Sequence, residues 1–105
     1  MTDLSLAQFL ALSATLLGIG LFGILTRRNF ILLLIAVEIA MNAAILNFIF
    51  FAAYLGAPAG PTGQSVAVVL VGLAATEIAV GLSIVLALNR LRGSINIAEA
   101  ATLKL

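Results

Sequence analysis

Three unbroken apolar runs govern what this sequence can become: roughly Leu4 to Thr26, Phe30 to Leu55 and Val66 to Asn89. A helix rises about 1.5 Å per residue, so each run is long enough to cross a hydrocarbon core of about 30 Å. Only nine of the 105 side chains are charged, five basic and four acidic, and 64% of the residues are hydrophobic. A soluble domain carries about a quarter of its residues charged. The fold class that follows is all-α: an integral membrane protein of three transmembrane helices, built as a single membrane domain over 1–105. A short tail, 90–105, follows the third helix. The first run reads as a retained helix rather than a cleaved leader. Its flank carries Asp3 instead of a basic residue, and its apolar stretch exceeds a signal-peptide core.

The breaks between runs set an orientation. "TRRN" at 26–29 separates the first two spans, and "GAPAGPTGQ" at 56–64 separates the second and third. The latter holds both prolines and is read as a connection because proline cannot continue a helix. It carries no charge. Arg27, Arg28, Arg90, Arg92 and Lys104 therefore gather at one end with Glu99, and Asp3 lies at the other. The positive-inside rule then places the N-terminus outside and the C-terminus in the cytoplasm.

Several function classes drop out on composition. The chain has neither cysteine nor histidine, which removes disulfides, thiolate metal sites and the commonest near-neutral proton shuttle. A net charge of +1, with the basic residues in two short pairs plus Lys104, gives no footprint for a nucleic acid. Gly18-Ile-Gly20 lies inside an apolar run with no strand before it, so it reads as close helix packing rather than a nucleotide fingerprint. Small residues recur at helical spacing in each span: Ala7, Ala11, Ala14 and Gly18; then Ala36, Ala40, Ala43 and Asn47; then Gly72, Thr76, Ala79 and Ser83. Such stripes let helix backbones approach closely in lipid, and each is read as a packing face.

Two carboxylates stand out against this background. Every residue from Ile31 to Val37 is apolar, and then comes Glu38; the same Ala-x-Glu-Ile-Ala core returns thirty-nine residues later around Glu77. Glu38 lies ten residues past Arg28, roughly 15 Å in, and Glu77 thirteen before Arg90, roughly 20 Å in. The spans run antiparallel, so both depths count from the same side and agree to within about 5 Å. A charge at that depth costs on the order of 3 kcal/mol on insertion scales, while a leucine or isoleucine returns only about half a kcal/mol. Glu38 and Asn42 share a helix face, turned away from the Ala36–Ala40–Ala43 stripe. Glu77 projects off its own stripe, beside Gly81. Three helices cannot enclose two such faces, so partner subunits are expected to complete the site. Low-dielectric surroundings penalise the charged form of a carboxyl, and alternation between neutral and charged is what a proton relay requires. The bland reading is a neutral glutamate that only bonds one helix to another.

These residues carry a resemblance. "RRN" at 27–29, "LLIAVEIAMNAAILNF" ending at Phe48, and "AATEIAVGLSIVLALNRLRGSINI" at 74–97 resemble the K subunit of NADH:quinone oxidoreductase, respiratory complex I. The likeness keeps the family's order and spacing: Arg-Arg-Asn, Glu38 nine residues after Asn29, Asn42-Ala43 four residues on, then Glu77-x-x-x-Gly81-Leu82 and a basic end. It implies a small three-helix, non-redox subunit of the membrane arm in a proton-translocating oxidoreductase. Flavin, iron–sulfur clusters and quinone would then belong to partner subunits, with no cofactor or metal on this chain. It also implies that Glu38 and Glu77 belong to a polar axis coupling quinone reduction to proton pumping, with Glu38 the more critical. Arg27 and Arg28 match the family's cytoplasmic basic pair. The implied partners are the antiporter-like and quinone-site-proximal subunits and the lipid bilayer, and the implied location is a prokaryotic cytoplasmic membrane or an organelle energy-transducing one. The sequence departs from the family in its proline-rich "GAPAGPTG" connection, and in Thr76, where alanine is usual. The Thr76 hydroxyl can bond within its own helix or reach the carboxylate.

Two other readings compete. The small subunit of multisubunit cation/proton antiporters shares the three-helix plan but usually lacks a carboxylate like Glu38. A purely structural membrane subunit would use the glutamates as interhelical bonds alone.

Overall fold

The computed structural model describes residues 3–92 and residue 97, and within it the chain is three long helices: α1 (Asp3–Thr26), α2 (Phe30–Leu55) and α3 (Ala59–Arg92). All three are long and apolar enough to cross a membrane. Asn29 starts α2 as its N-cap. Its side-chain oxygen accepts from the Ile31 and Leu32 N–H groups at 2.9 and 3.3 Å, satisfying two donors that a helix start leaves unpaired. Gly56 ends α2 at φ +65°, a left-handed conformation that favours glycine, and its N–H reaches back to the Ala52 carbonyl.

The connection before α3 is shorter than the sequence reading had it. Only Gly56, Ala57 and Pro58 join the two helices, and α3 already runs from Ala59 through Pro61, where a loop extending to residue 64 was expected. The first turn of a helix has no internal partners for its N–H groups, so a proline there loses nothing. Glycines at this end also let the helices meet early. A Cβ on Gly60 would lie 2.8 Å from the Ala52 carbonyl oxygen, and one on Gly63 would lie 2.8 Å from the Ala52 Cβ. At the other end α3 continues past Asn89 to Arg92. Most of the expected tail, including Glu99 and Lys104, lies outside the described residues.

The helices stand side by side rather than in a triangle. Both α1 and α3 pack along α2 and make no comparable contact with each other. The molecule is accordingly a slab, 54 by 24 by 15 Å. The α1 side of α2 carries Ala36, Ala40, Ala43 and Phe50; the opposite side carries Leu34, Met41, Ile45 and Ala52 toward α3. Gly20 and Gly23 of α1 lie against Ala40 and Ala36 so closely that a Cβ on either would clash, at 2.7 Å from the Ala40 nitrogen and 2.6 Å from the Ala36 Cβ. Buried Ser13 donates to the Ala43 carbonyl at 2.9 Å, and Phe9 stacks on Phe50 with ring centroids 4.3 Å apart. Across the other seam Ile45 packs with Ala67 and Ala74, flanked by Met41 and Leu70.

Of the three small-residue stripes, the one on α2 is a packing face within the chain. Those on α1 and α3 are not. Ala7, Ala11, Ala14 and Gly18 are exposed, as are Gly72, Thr76, Ala79 and Ser83, and a Cβ on Gly18 or Gly72 would meet nothing. Each helix presents a different small face to α2, through Ser13, Gly20 and Gly23 on α1 and through Gly63, Ala67, Ala74 and Gly81 on α3. A helix with small residues on two sides can approach a neighbour with either, and the stripes face the outer edges of the slab.

Candidate functional site

The α2–α3 seam fixes the height of both glutamates. Gly63 faces Ala52 near one end, and Gly81 faces Leu34 near the other. Leu34 to Ala52 and Gly63 to Gly81 are both eighteen residues, so the two helices run past each other without slip. Glu38 lies four residues beyond Leu34, and Glu77 four residues before Gly81. The carboxylate-bearing positions are therefore level, closer in depth than counting from the arginines implies.

Their surroundings differ. Glu38 follows Leu34 on the α3 side of α2 and is half-buried; its Oε2 is buried and has no hydrogen-bond partner among the described residues. A buried carboxyl oxygen without a donor costs about 1–3 kcal/mol, more when charged, so the group calls for a proton or for a donor from outside the chain. Glu77 sits on the flank of its seam, one position from half-buried Ile78, and is exposed. Asn42, one turn beyond Glu38, is exposed on the broad face of the slab. Thr76 makes the first of the two bonds open to it: its hydroxyl donates to the Gly72 carbonyl of its own helix at 2.9 Å. The seam thus brings Glu38 and Glu77 together in height, with Asn42 beside Glu38, and leaves Thr76 turned toward the outer edge.

Arg27 and Arg28 lie elsewhere, on the exposed connection between α1 and α2. Arg90 and Arg92 occupy the last turn of α3. The Ile97 N–H donates to the Arg28 carbonyl at 2.7 Å, which ties the chain beyond α3 to that connection and puts both basic pairs at one end of the slab.

Gly20 packs closely, as its sequence context implied, whereas the structural parts of Ser13 and Gly23 were missed by sequence reading. The available signal was a hydroxyl and two glycines on one side of an apolar helix. That signal competed with the equally regular stripe of Ala7, Ala11, Ala14 and Gly18.

Comparison with known proteins places this arrangement in a family. Residues 8–105 match the model for NADH-ubiquinone/plastoquinone oxidoreductase chain 4L. The chain is 45% identical over 100 residues to NADH-quinone oxidoreductase subunit K 1 of Syntrophobacter fumaroxidans, covering 95% of this chain and 97% of that one. It is 45% identical to subunit K of Anaeromyxobacter sp. strain K, over 90% of this chain and 93% of that one. Against subunit K of Geobacillus sp. strain WCH70 the identity is 41%, over 99% of both chains. Three helices of membrane-spanning length and near full-length likeness to these relatives lead to one conclusion: the chain belongs to the chain 4L, or subunit K, family of NADH-quinone oxidoreductase.

Proposed function

We propose that Glu38 and Glu77 hand protons along the plane of the membrane, as part of a polar axis that couples quinone reduction to proton pumping in a complex I-type oxidoreductase. The coarser half rests on family membership: the chain is a membrane-arm subunit of NADH-quinone oxidoreductase, a multisubunit enzyme complex. The observation that carries the finer half is the level placement of two carboxylates across the α2–α3 seam, one with a buried oxygen that nothing among the described residues satisfies. Intramembrane ionisable groups face a protein interior or a hydrated path and mark ion routes.

Redox chemistry lies outside this reading. Without cysteine or histidine the chain offers no ligand set for an iron–sulfur cluster; the family resemblance assigns flavin and quinone, too, to other subunits. Antiporter-like and quinone-proximal subunits are the neighbours this role requires. The outward stripes on α1 and α3 support neighbours at both edges of the slab. The basic end faces the cytoplasm, or the equivalent side of an organelle energy-transducing membrane, by the charge bias of its connections. Single cysteines at Ala57 and Thr26, in a chain that has no other, test that orientation: an impermeant maleimide labels position 57 from outside, and labelling of position 26 instead would invert it.

Glu38→Gln tests the role itself, since it keeps shape and hydrogen bonding but cannot titrate. Proton pumping coupled to quinone reduction should collapse while the complex still assembles. Normal pumping in the assembled variant would sink the proposal and leave the glutamate as an interhelical bond.

A further inference from the structure

A groove runs down the seam between α1 and α2 on one broad face of the slab, from the basic end inward. Its cavity measures about 320 Å³ and is floored by Gly23 and Ala36, where the two backbones touch. Ile19 and Phe22 form one wall, and Leu32, Ile35 and Ile39 the other. Arg27 closes the mouth. Arg27 lies eight residues beyond Ile19, just past the end of α1, about 12 Å along the axis. An apolar channel of that length, parallel to the membrane normal and ending in a guanidinium where the apolar run stops, has the shape and polarity of one lipid.

We infer that this groove holds the acyl chain of an anionic phospholipid whose phosphate sits on Arg27. Charge complementarity carries the choice of occupant. Arg27, Arg28, Arg90 and Arg92 all lie at this end. Among the described residues no acidic side chain joins them, for Asp3 begins α1 at the far end and Glu38 and Glu77 lie within the spans. A guanidinium at the membrane boundary, set in a cluster of basic residues, suits a phosphate, since its planar fork matches two phosphate oxygens. Basic pockets between membrane helices take up anionic head groups for this reason. A wholly apolar helix would cover the walls and leave the Arg27 charge without a counter-ion.

The test is photolabelling of the assembled complex in its native membrane, using phospholipids with a diazirine in the acyl chain and either a phosphatidylglycerol or a phosphatidylcholine head. The anionic probe should label Ile19, Phe22, Ile35 or Ile39 about fivefold more than the zwitterionic one, the factor expected of one guanidinium near a phosphate. Arg27→Ala should erase that preference and Arg27→Lys should keep most of it. Ile35→Trp, which fills the groove and leaves Arg27 in place, should remove the labelling. Arg90→Ala, at the same end but on another helix, should leave it unchanged. Equal labelling by both probes means only boundary lipid and overturns the inference. So does an equal loss in Arg90→Ala, which would show general surface charge. Absence of labelling in the unaltered complex would show that a partner subunit fills the groove, and also overturns it.

Discussion

Leu34 lies in the notch at Gly81, its Cδ2 only 2.6 Å from where a Cβ on that glycine would be. One helical turn beyond this contact, on either helix, comes a glutamate. The notch therefore sets the relative height of Glu38 and Glu77, and the chemistry proposed for them depends on a steric fit between two apolar positions.

The glycines should rank by what surrounds them. Gly20→Ala drives a methyl into the backbone of Ala40 and should reduce assembled complex severely, since overpacking costs about 1–3 kcal/mol or more where nothing can yield. Gly81→Ala meets only the tip of the Leu34 side chain, which can turn aside, so the loss should be mild. Gly18→Ala meets nothing within the chain and should leave this chain's fold intact. Blue-native gels of membranes carrying each variant give the order directly. A severe Gly81→Ala beside a silent Gly20→Ala would contradict the packing.

Ser13 and Thr15 make a matched pair of hydroxyls. Ser13 bonds across to Ala43 on α2, whereas Thr15 bonds back to Ala11 of its own helix. Interhelical hydrogen bonds in membranes contribute about 0.6 kcal/mol on average and up to about 1.7. Ser13→Ala should lower the thermal stability of the detergent-solubilised complex, and Thr15→Ala should not. Equal shifts for the two would mean that the cross-helix bond contributes nothing.

The two carboxylates should not be equivalent. Glu38 holds a buried oxygen with no partner among the described residues, and Glu77 stands exposed on the seam's flank. Glu77→Gln should therefore reduce pumping less than Glu38→Gln, measured in the same membranes. A worse Glu77 variant would reverse the ranking.

Moving the carboxylate tests whether its position or only its face matters. In Glu38→Ala/Asn42→Glu the group shifts about 6 Å along α2 and moves from the half-buried α3 side to the adjoining broad face, where Asn42 is exposed. Partial recovery of pumping is expected. In Glu38→Ala/Ile39→Glu the shift is smaller, but the carboxylate turns by about 100° toward the α1 seam, where Ile39 lines the apolar groove. No recovery is expected there, and full recovery would refute the proton-row reading.

Depth was legible in the sequence because rise per residue is nearly constant, so counting from Arg28 and Arg90 brought Glu38 and Glu77 to within a few ångströms of their level placement. The one-turn spacing of Glu38 and Asn42 was legible for a similar reason; that Glu38 turns toward α3 while Asn42 lies on the broad face was not, because a helical wheel shows no partner. What a wheel cannot decide is which of two small faces meets a neighbour inside the chain. The stripes through Gly18 and Gly72 and the faces through Gly20 and Gly81 are equally smooth, and only the fit of particular knobs such as Leu34 and Ala40 selects between them. Pro61 misled for a local reason. Its cost depends on its distance from the helix start, and that start is set by how closely Gly60 and Gly63 approach Ala52, a tertiary fact.

The slab form of the molecule decides which way traffic can run. Three helices in a triangle would wall in the middle of α2 and isolate its glutamate from everything beside it. Set in a row, they leave the central helix flanked at its two edges only, with Asn42 uncovered on one face. The chain is thus one panel of a partition, open on its flat sides. The proton transfer proposed for Glu38 would then need neither outer helix to be pushed apart.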